Sequence, residues 1–213
     1  MDEKDAITPP AQLRVDLIIS LDGYAAAEGW PGWWGLEGPE YLAWLGQEGE
    51  KEADRTVLLG ANTYRLMSQM QGDAAARDSG FSEDEGASLT GLAAIRKVVF
   101  SSTLQVPLVW PNSTLVTGDA VEAVAEMKRT TAGPLSTLGS LSLSRSLLAA
   151  GLVDRFRLVV FPVITGKTGR ERIYDGYPDV ALEMVDSRTF DGRLQLLEYI
   201  PTVLEGPPAG RQG

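Results

Sequence analysis

The feature that most constrains this chain is a repeated exchange of short apolar runs for helical patterns, ending in a hairpin. "LRVDLIIS" (13–20) alternates Leu13, Val15, Leu17 and Ile19 against Arg14, Asp16 and Ser20, with Ile18 interrupting, which is the period of a strand. "TVLLG" (56–60), "KVVFS" (97–101), "STLVT" (113–117), "LSTLG" (135–139) and "FRLVVFPVI" (156–164) are short and largely apolar, as strands covered on both faces are. Helical spacing fills the gaps between them. It places Tyr41, Leu42, Leu45 and Glu48 together within 38–54, and Tyr64, Met67 and Met70 together after "LLG". Asp119 with Glu122 resembles a capping box opening "AVEAVAEMK", and beyond Ser140, Leu143 pairs with Leu147 and Leu148 with Leu152. Alternation of this kind predicts an α/β fold on a mainly parallel sheet. "LEMVDSRTF" and "RLQLLEYI" flank Asp191-Gly192, so the sheet of about eight strands is expected to close with an antiparallel hairpin.

With 213 residues and 44% hydrophobic content the chain can bury one sizeable core, and a single domain over 12–202 is expected. Residues 1–11 and 203–213 are Pro/Gly-rich or charged and are expected to fray, while the acidic stretch 71–91 reads as a surface insertion or lid. The chain has no Cys and no His. That removes disulfides, Ser-His and Cys-His nucleophilic catalysis and the common zinc sites, and no carboxylate cluster marks a metal site. A net charge of -10 argues against a nucleic-acid partner. No apolar run approaches a membrane span and "MDEKDAITPPAQ" is not a signal peptide, so a cytoplasmic protein without a membrane partner is expected.

Ligands of an open parallel sheet bind beyond the carboxyl ends of its strands. Small or polar residues recur there: Ser20 to Gly23, Gly60 to Thr63, Ser101-Ser102, Thr117-Gly118 and Gly139-Ser140. Together they suggest a backbone-lined groove for an extended ligand. Gly139 lets the backbone approach a ligand and the helix after it offers free N–H groups to a pyrophosphate, although Ser140 serves equally as a simple N-cap. Asp22-Gly23 is either a turn or a carboxylate at the mouth of the first strand, able to orient a substrate or relay a proton. The Trp residues of "GWPGWW" (29–34) either cover the core edge or wall a pocket for a flat ring. "TGKTG" (165–169) is not a P-loop, because Phe161 stands where the first Gly is required, and no G-x-G-x-x-G is present.

In order and spacing, "ISLDGYAA", "LLGANTY", "VVFSSTL" and "LGSLSLSRSLLAAGLVDRFRLVVFPVITGKTG", with the closing hairpin, resemble the dihydrofolate-reductase-like superfamily. Within it they are most similar to the reductase domain of the riboflavin-biosynthesis deaminase/reductase and its stand-alone bacterial relatives. The resemblance covers about residues 13–200. It implies a three-layer α/β/α domain binding NADPH along the strand ends, a small-molecule substrate and a homodimer. Thr63, Ser101 and Ser102 would lie near the adenosine and phosphate end, and Gly139, Ser140 and Leu141 against the pyrophosphate. Gly60, Asn62 and Thr117 complete the cofactor set. Asp22 would be the catalytic carboxylate, with Trp33, Trp34, Pro162, Val163 and Gly166 bordering the substrate. Relatives carry Arg where this chain has Ala61, which leaves NADH open beside NADPH and makes Arg65 or Lys97 the replacement cation. The implied activity is reduction of a phosphoribosylamino-pyrimidine, with Lys167 or Arg170 meeting its phosphate. The alternatives are a dihydrofolate or other small-carbonyl reductase, and a non-catalytic nucleotide-binding or regulatory protein.

Overall fold

The structure is a computed structural model describing residues 10–29, 34–74 and 83–206. Its centre is an eight-stranded sheet in the order β5-β4-β3-β6-β1-β7-β10-β9. The strands are β1 (Leu13–Ser20), β3 (Thr56–Gly60), β4 (Arg96–Phe100), β5 (Ser113–Val116), β6 (Leu135–Thr137), β7 (Arg155–Phe161), β9 (Val180–Phe190) and β10 (Leu194–Val203). Every pairing from β5 to β7 is parallel, and β10 runs antiparallel to both β7 and β9. Asp191 and Gly192 turn the β9–β10 hairpin with φ of 52° and 65°, and Arg193 N–H closes on Phe190 O at 2.9 Å. Two positive φ values are what a type I′ turn demands.

Crossover helices cover both faces. On one side lie α1 (Pro39–Lys51), α2 (Ala61–Ala74) and α3 (Glu83–Ala94); on the other lie α4 (Ala120–Thr130) and α5 (Leu141–Ala149). The alternation of β1 sends Leu13, Val15, Leu17 and Ile19 to the α4–α5 side, where they meet Val124, Leu143, Leu147 and Leu148. Against α1, Tyr41 and Trp44 pack on Phe161 and Phe190, and truncating any such aromatic costs about 3–5 kcal/mol. Tyr64 of α2 joins Val57, Leu59, Val99 and Trp110 in a third cluster.

The polar residues of β1, Arg14 and Asp16, lie under α1 and enter an ion-pair network with Glu52 and Arg157. Two departures from the sequence expectations have physical causes. Part of the acidic stretch 71–91 is helical: its first residues end α2 and its last form most of α3, with Leu89 buried. Two interior glycines hide that helix from propensity, and tertiary packing overrides them. Lastly, β7 stops at Phe161, because Pro162 has no N–H and Val163 N–H folds back to Phe161 O at 2.8 Å. Beyond that point a small sheet of β2 (Tyr24–Ala27) and β8 (Gly169–Arg172), absent from the sequence pattern, ties the β1 turn to the segment after β7.

Candidate functional site

All six parallel strands end at one edge, spread over roughly 24 Å at the usual strand spacing. The connections reverse between β3 and β6. The chain leaves β3 through α2 toward β4, whereas it leaves β6 through α5 toward β7 on the other face. Such a switch point opens a crevice. At its floor Gly60 and Ser140 are bonded to each other, with Gly60 N–H donating to Ser140 Oγ at 2.8 Å.

The crevice is built from two helix N-termini. Thr63, in the first turn of α2, accepts from Ser140 N–H at 3.1 Å and from its hydroxyl at 3.0 Å. Gly139 and Ser140 both sit in the left-handed region, at φ of 55° and 57°, a cost of roughly 1–2 kcal/mol at the serine. The crossing hydrogen bonds offset that cost. They also settle what Ser140 does: its side chain makes no capping bond to α5 and reaches across to β3 and α2 instead. The first amides of α5 therefore keep their donors. Elsewhere the chain closes helix starts with carboxylates. Asp119 accepts from Val121 and Glu122 N–H on α4, and Asp191 reaches over to Glu40 and Tyr41 N–H on α1. Neither α2 nor α5 has an acid in its first turn, although the chain carries 29 acidic residues. Two helix N-termini without a first-turn acid, set beside each other, carry the partial positive charge that an anion site requires.

Toward β4 the edge turns polar. Arg65, exposed on α2, donates to Asn62 at 3.3 Å and Thr103 at 3.2 Å, and Ser101 accepts from Thr103 and Leu104 N–H. Ser102 and Thr117 are exposed at the ends of β4 and β5. Lys97 is excluded as the replacement cation. It is 1% exposed, its ammonium donates to the carbonyls of Leu92, Ala93 and Ile95, and it lies over the Trp110 ring. Burial brings its pKa down to about 8.

Toward β7 the edge carries Asp22. Its carboxylate accepts from the Ser20 hydroxyl at 2.6 Å, from Thr165 N–H at 3.1 Å and from Gly166 N–H at 2.9 Å. Desolvation raises its pKa, but these donors outweigh that and lower it to about 2. Asp22 is thus a fixed anion at neutral pH, suited to accepting a hydrogen bond and not to donating a proton. Leu21 N–H bonds Val163 O at 2.8 Å, which keeps the Pro162–Gly166 loop against the β1 turn. Thr165, whose only mark in the sequence is a hydroxyl residue just before Gly166, closes this clamp with both its N–H and its hydroxyl. Trp34 is 1% exposed within the α1 core, so it covers the core edge and does not wall an open pocket. Trp33 falls outside the described residues. Lys167 has no ion pair among the described residues, whereas Arg170 is engaged by Glu28 at 3.2 Å.

The Asp22 clamp predicts a pH effect. A carboxylate with a lowered folded-state pKa stabilises the fold above its unfolded value near 4, and that contribution fades as pH falls through about 2. Asp22→Asn should therefore unfold more easily than wild type at pH 6, with the gap closing by about pH 2. A gap independent of pH would deny the clamp.

Two other features fall outside the site. A hollow of about 740 Å³ is lined by Arg96 and Val98 of β4, Thr114 and Val116 of β5, and Ala123 and Met127 of α4. Among the described residues no helix is long and apolar enough to cross a membrane, and no group of carboxylates could hold a metal ion.

The sheet order and the closing hairpin are those of a dihydrofolate-reductase-like fold. Residues 11–196 match the RibD C-terminal domain, and the chain belongs to that family. It is 25% identical over 188 residues to the uncharacterized protein YyaP of Bacillus subtilis, covering 88% of this chain and 94% of that one. Among solved structures it is similar to a putative riboflavin biosynthesis protein from Shewanella sp. PV-4, at TM-score 0.63 and 17% identity, covering 90% and 99% of the two chains. Dihydrofolate reductase from Enterococcus faecalis, solved with NADP(H), shares the fold at TM-score 0.55 and 14% identity over 89% of this chain and 96% of that one.

Proposed function

We propose that this protein is an NADPH-dependent reductase of the riboflavin-biosynthesis type, acting on a ribosylated pyrimidine. The observation that carries the reading is the pair of open helix N-termini at the switch point, kept free of acid in a chain of net charge -10. A dinucleotide pyrophosphate matches that chemistry, with the amides after Ser140 and Gly60 as its donors. Arg65, exposed beside Asn62 and Thr103, would meet a 2′-phosphate in place of the arginine that Ala61 replaces. When bound, the nicotinamide supplies the hydride.

The chain's own residues position and neutralise. Asp22, held as an anion, accepts a hydrogen bond from an N–H or O–H of the substrate and turns its electrophilic carbon toward the cofactor face. The proton that completes reduction comes from water in this reading, because the chain lacks His and Asp22 is already ionised. Lys167, which follows Gly166 of the Asp22 clamp and has no ion pair among the described residues, meets the phosphate of the ribosyl group.

Oxidation of NADPH by the purified protein is expected with the phosphoribosylamino-pyrimidine and not with dihydrofolate; the reverse pattern overturns the substrate assignment. Arg65→Ala should weaken NADPH binding about tenfold while leaving NADH unchanged, since one charge-assisted contact is worth about 1.5 kcal/mol. Equal loss for both cofactors would remove Arg65 from the 2′-phosphate.

A further inference from the structure

The outer strands β4 and β5 are thinly covered on one face. α4 carries the chain from β5 across to β6, a distance of three strand spacings or roughly 14 Å, and a helix is only about 10 Å across. It packs inward, with Val124 buried in the cluster that holds Leu13, Leu58 and Leu135. Ala123, Met127 and Thr131, spaced at i, i+4 and i+8, form a second face toward the outer strands. Between that face and β4–β5 lies the hollow of about 740 Å³, a size within the range of about 300–1,000 Å³ that small ligands occupy. Val98, Leu108, Val116 and Met127 give it apolar walls. None of its lining residues belongs to the cofactor or substrate set above.

We propose that this hollow is a second ligand site, taking an organic monoanion whose apolar body lies on Val98, Val116 and Met127 and whose carboxylate or sulfonate meets Arg96. Charge selects the occupant. Arg96 is the one charged residue of the lining, and no Asp or Glu reaches it, although the chain has 29 acidic residues. Its guanidinium is exposed and makes no ion pair or hydrogen bond among the described residues, so its donors are free for a two-pronged contact with an anion. The helix-end carbonyls that would favour a cation instead are already bonded. Asn112 donates to Ala93 and Ala94 O at 3.1 Å each, and Thr131 N–H donates to Met127 O at 2.8 Å. Apolar burial supplies the affinity and the lone cation the selectivity. The site is independent of the reductase reading, since it shares no residue with that crevice.

The probe is 8-anilinonaphthalene-1-sulfonate, an apolar ring system with one fixed negative charge whose emission rises on leaving water. Titration of the full chain is expected to give a saturable one-to-one rise, the same with and without saturating NADP⁺. Arg96→Gln, which breaks no contact among the described residues, should weaken binding about tenfold, the worth of one charge-assisted bond. Thr114→Glu, at an exposed lining position, should weaken it at least as much by setting a like charge in the hollow. Uncharged N-phenyl-1-naphthylamine, with the same rings, should bind more weakly and be indifferent to Arg96→Gln. Circular dichroism checks that both variants are folded. No saturable binding, displacement of the probe by NADP⁺, or equal affinity in wild type and Arg96→Gln overturns the proposal. A protein that binds the probe in this pattern but not NADP⁺ keeps the second site and loses the reductase reading.

Discussion

Asp16→Ala is expected to cost about 2–4 kcal/mol of folding stability. Asp16 sits mid-strand in β1 beneath α1 and joins two arginines. Arg14 Nε lies 2.7 Å from its Oδ2, and Arg157 reaches it with Nε and, at 3.1 Å, with Nη2. Arg14 also holds Glu52 through both guanidinium nitrogens at 2.6 and 2.7 Å, and Arg157 stacks over the Trp44 ring at 4.9 Å. Burial raises the Asp16 pKa, but Arg157 and Arg14 overcome it and hold the group below the ordinary range. Removing the carboxylate leaves two arginines 15% and 9% exposed, facing each other across its place. The cost stays below that of a fully buried orphan charge, because Glu52 and Glu48 remain as partners and Asp16 is itself 23% exposed. Denaturant unfolding at pH 7 measures the loss, which corresponds to roughly 6–12 °C in Tm for a domain of this size. A change within about 0.5 kcal/mol, typical of surface substitutions, would show the network to be ornamental.

Gly139→Val is expected to abolish most cofactor affinity, by at least about 30-fold, in a protein that still folds. A β-branched residue is an outlier at φ of 55°, so the backbone must rotate or carry roughly 1–3 kcal/mol of strain. Either response moves Ser140 and the first amides of α5, because Ser140 is anchored to Thr63 and Gly60 through the bonds that set its own left-handed turn. The new side chain also adds bulk beside Thr63, whose Oγ1 lies 3.6 Å from where a Cβ would stand. Thermal unfolding checks that the variant is folded, and titration with NADPH reads the loss. Unchanged affinity in a folded variant would take the pyrophosphate away from this crevice.

The layers of the fold were legible in the sequence because its strands are short, apolar and punctuated. All eight strands of the main sheet fall where "LRVDLIIS" through "RLQLLEYI" predict them, and the hairpin turns on Asp191-Gly192 as its dipeptide demands. The site was legible only as a set of candidates. Gly60, Thr63 and Ser140 come together by hydrogen bonds with Gly139 packed beside Thr63, and Asp22 meets Gly166 and, through Leu21, Val163. What stayed hidden depends on contacts distant in sequence. Ser140 is indistinguishable from a cap until its partner on β3 is known. Arg14 and Asp16 look solvated until α1 is laid over them. Lys97 looks available until the carbonyls ending α3 close on it. Trp34 and Trp44 carry no mark of which aromatic is buried and which lines a surface.

The central claim is that two open helix N-termini at the β3–β6 switch point bind a dinucleotide. Titration of the folded protein with NADPH, followed by the cofactor's own fluorescence, tests it most directly. Saturable binding in roughly the micromolar range is the predicted result, with Gly139→Val far weaker under the same conditions. No fluorescence change with either NADPH or NADH, from a protein whose unfolding transition shows it intact, would contradict the account.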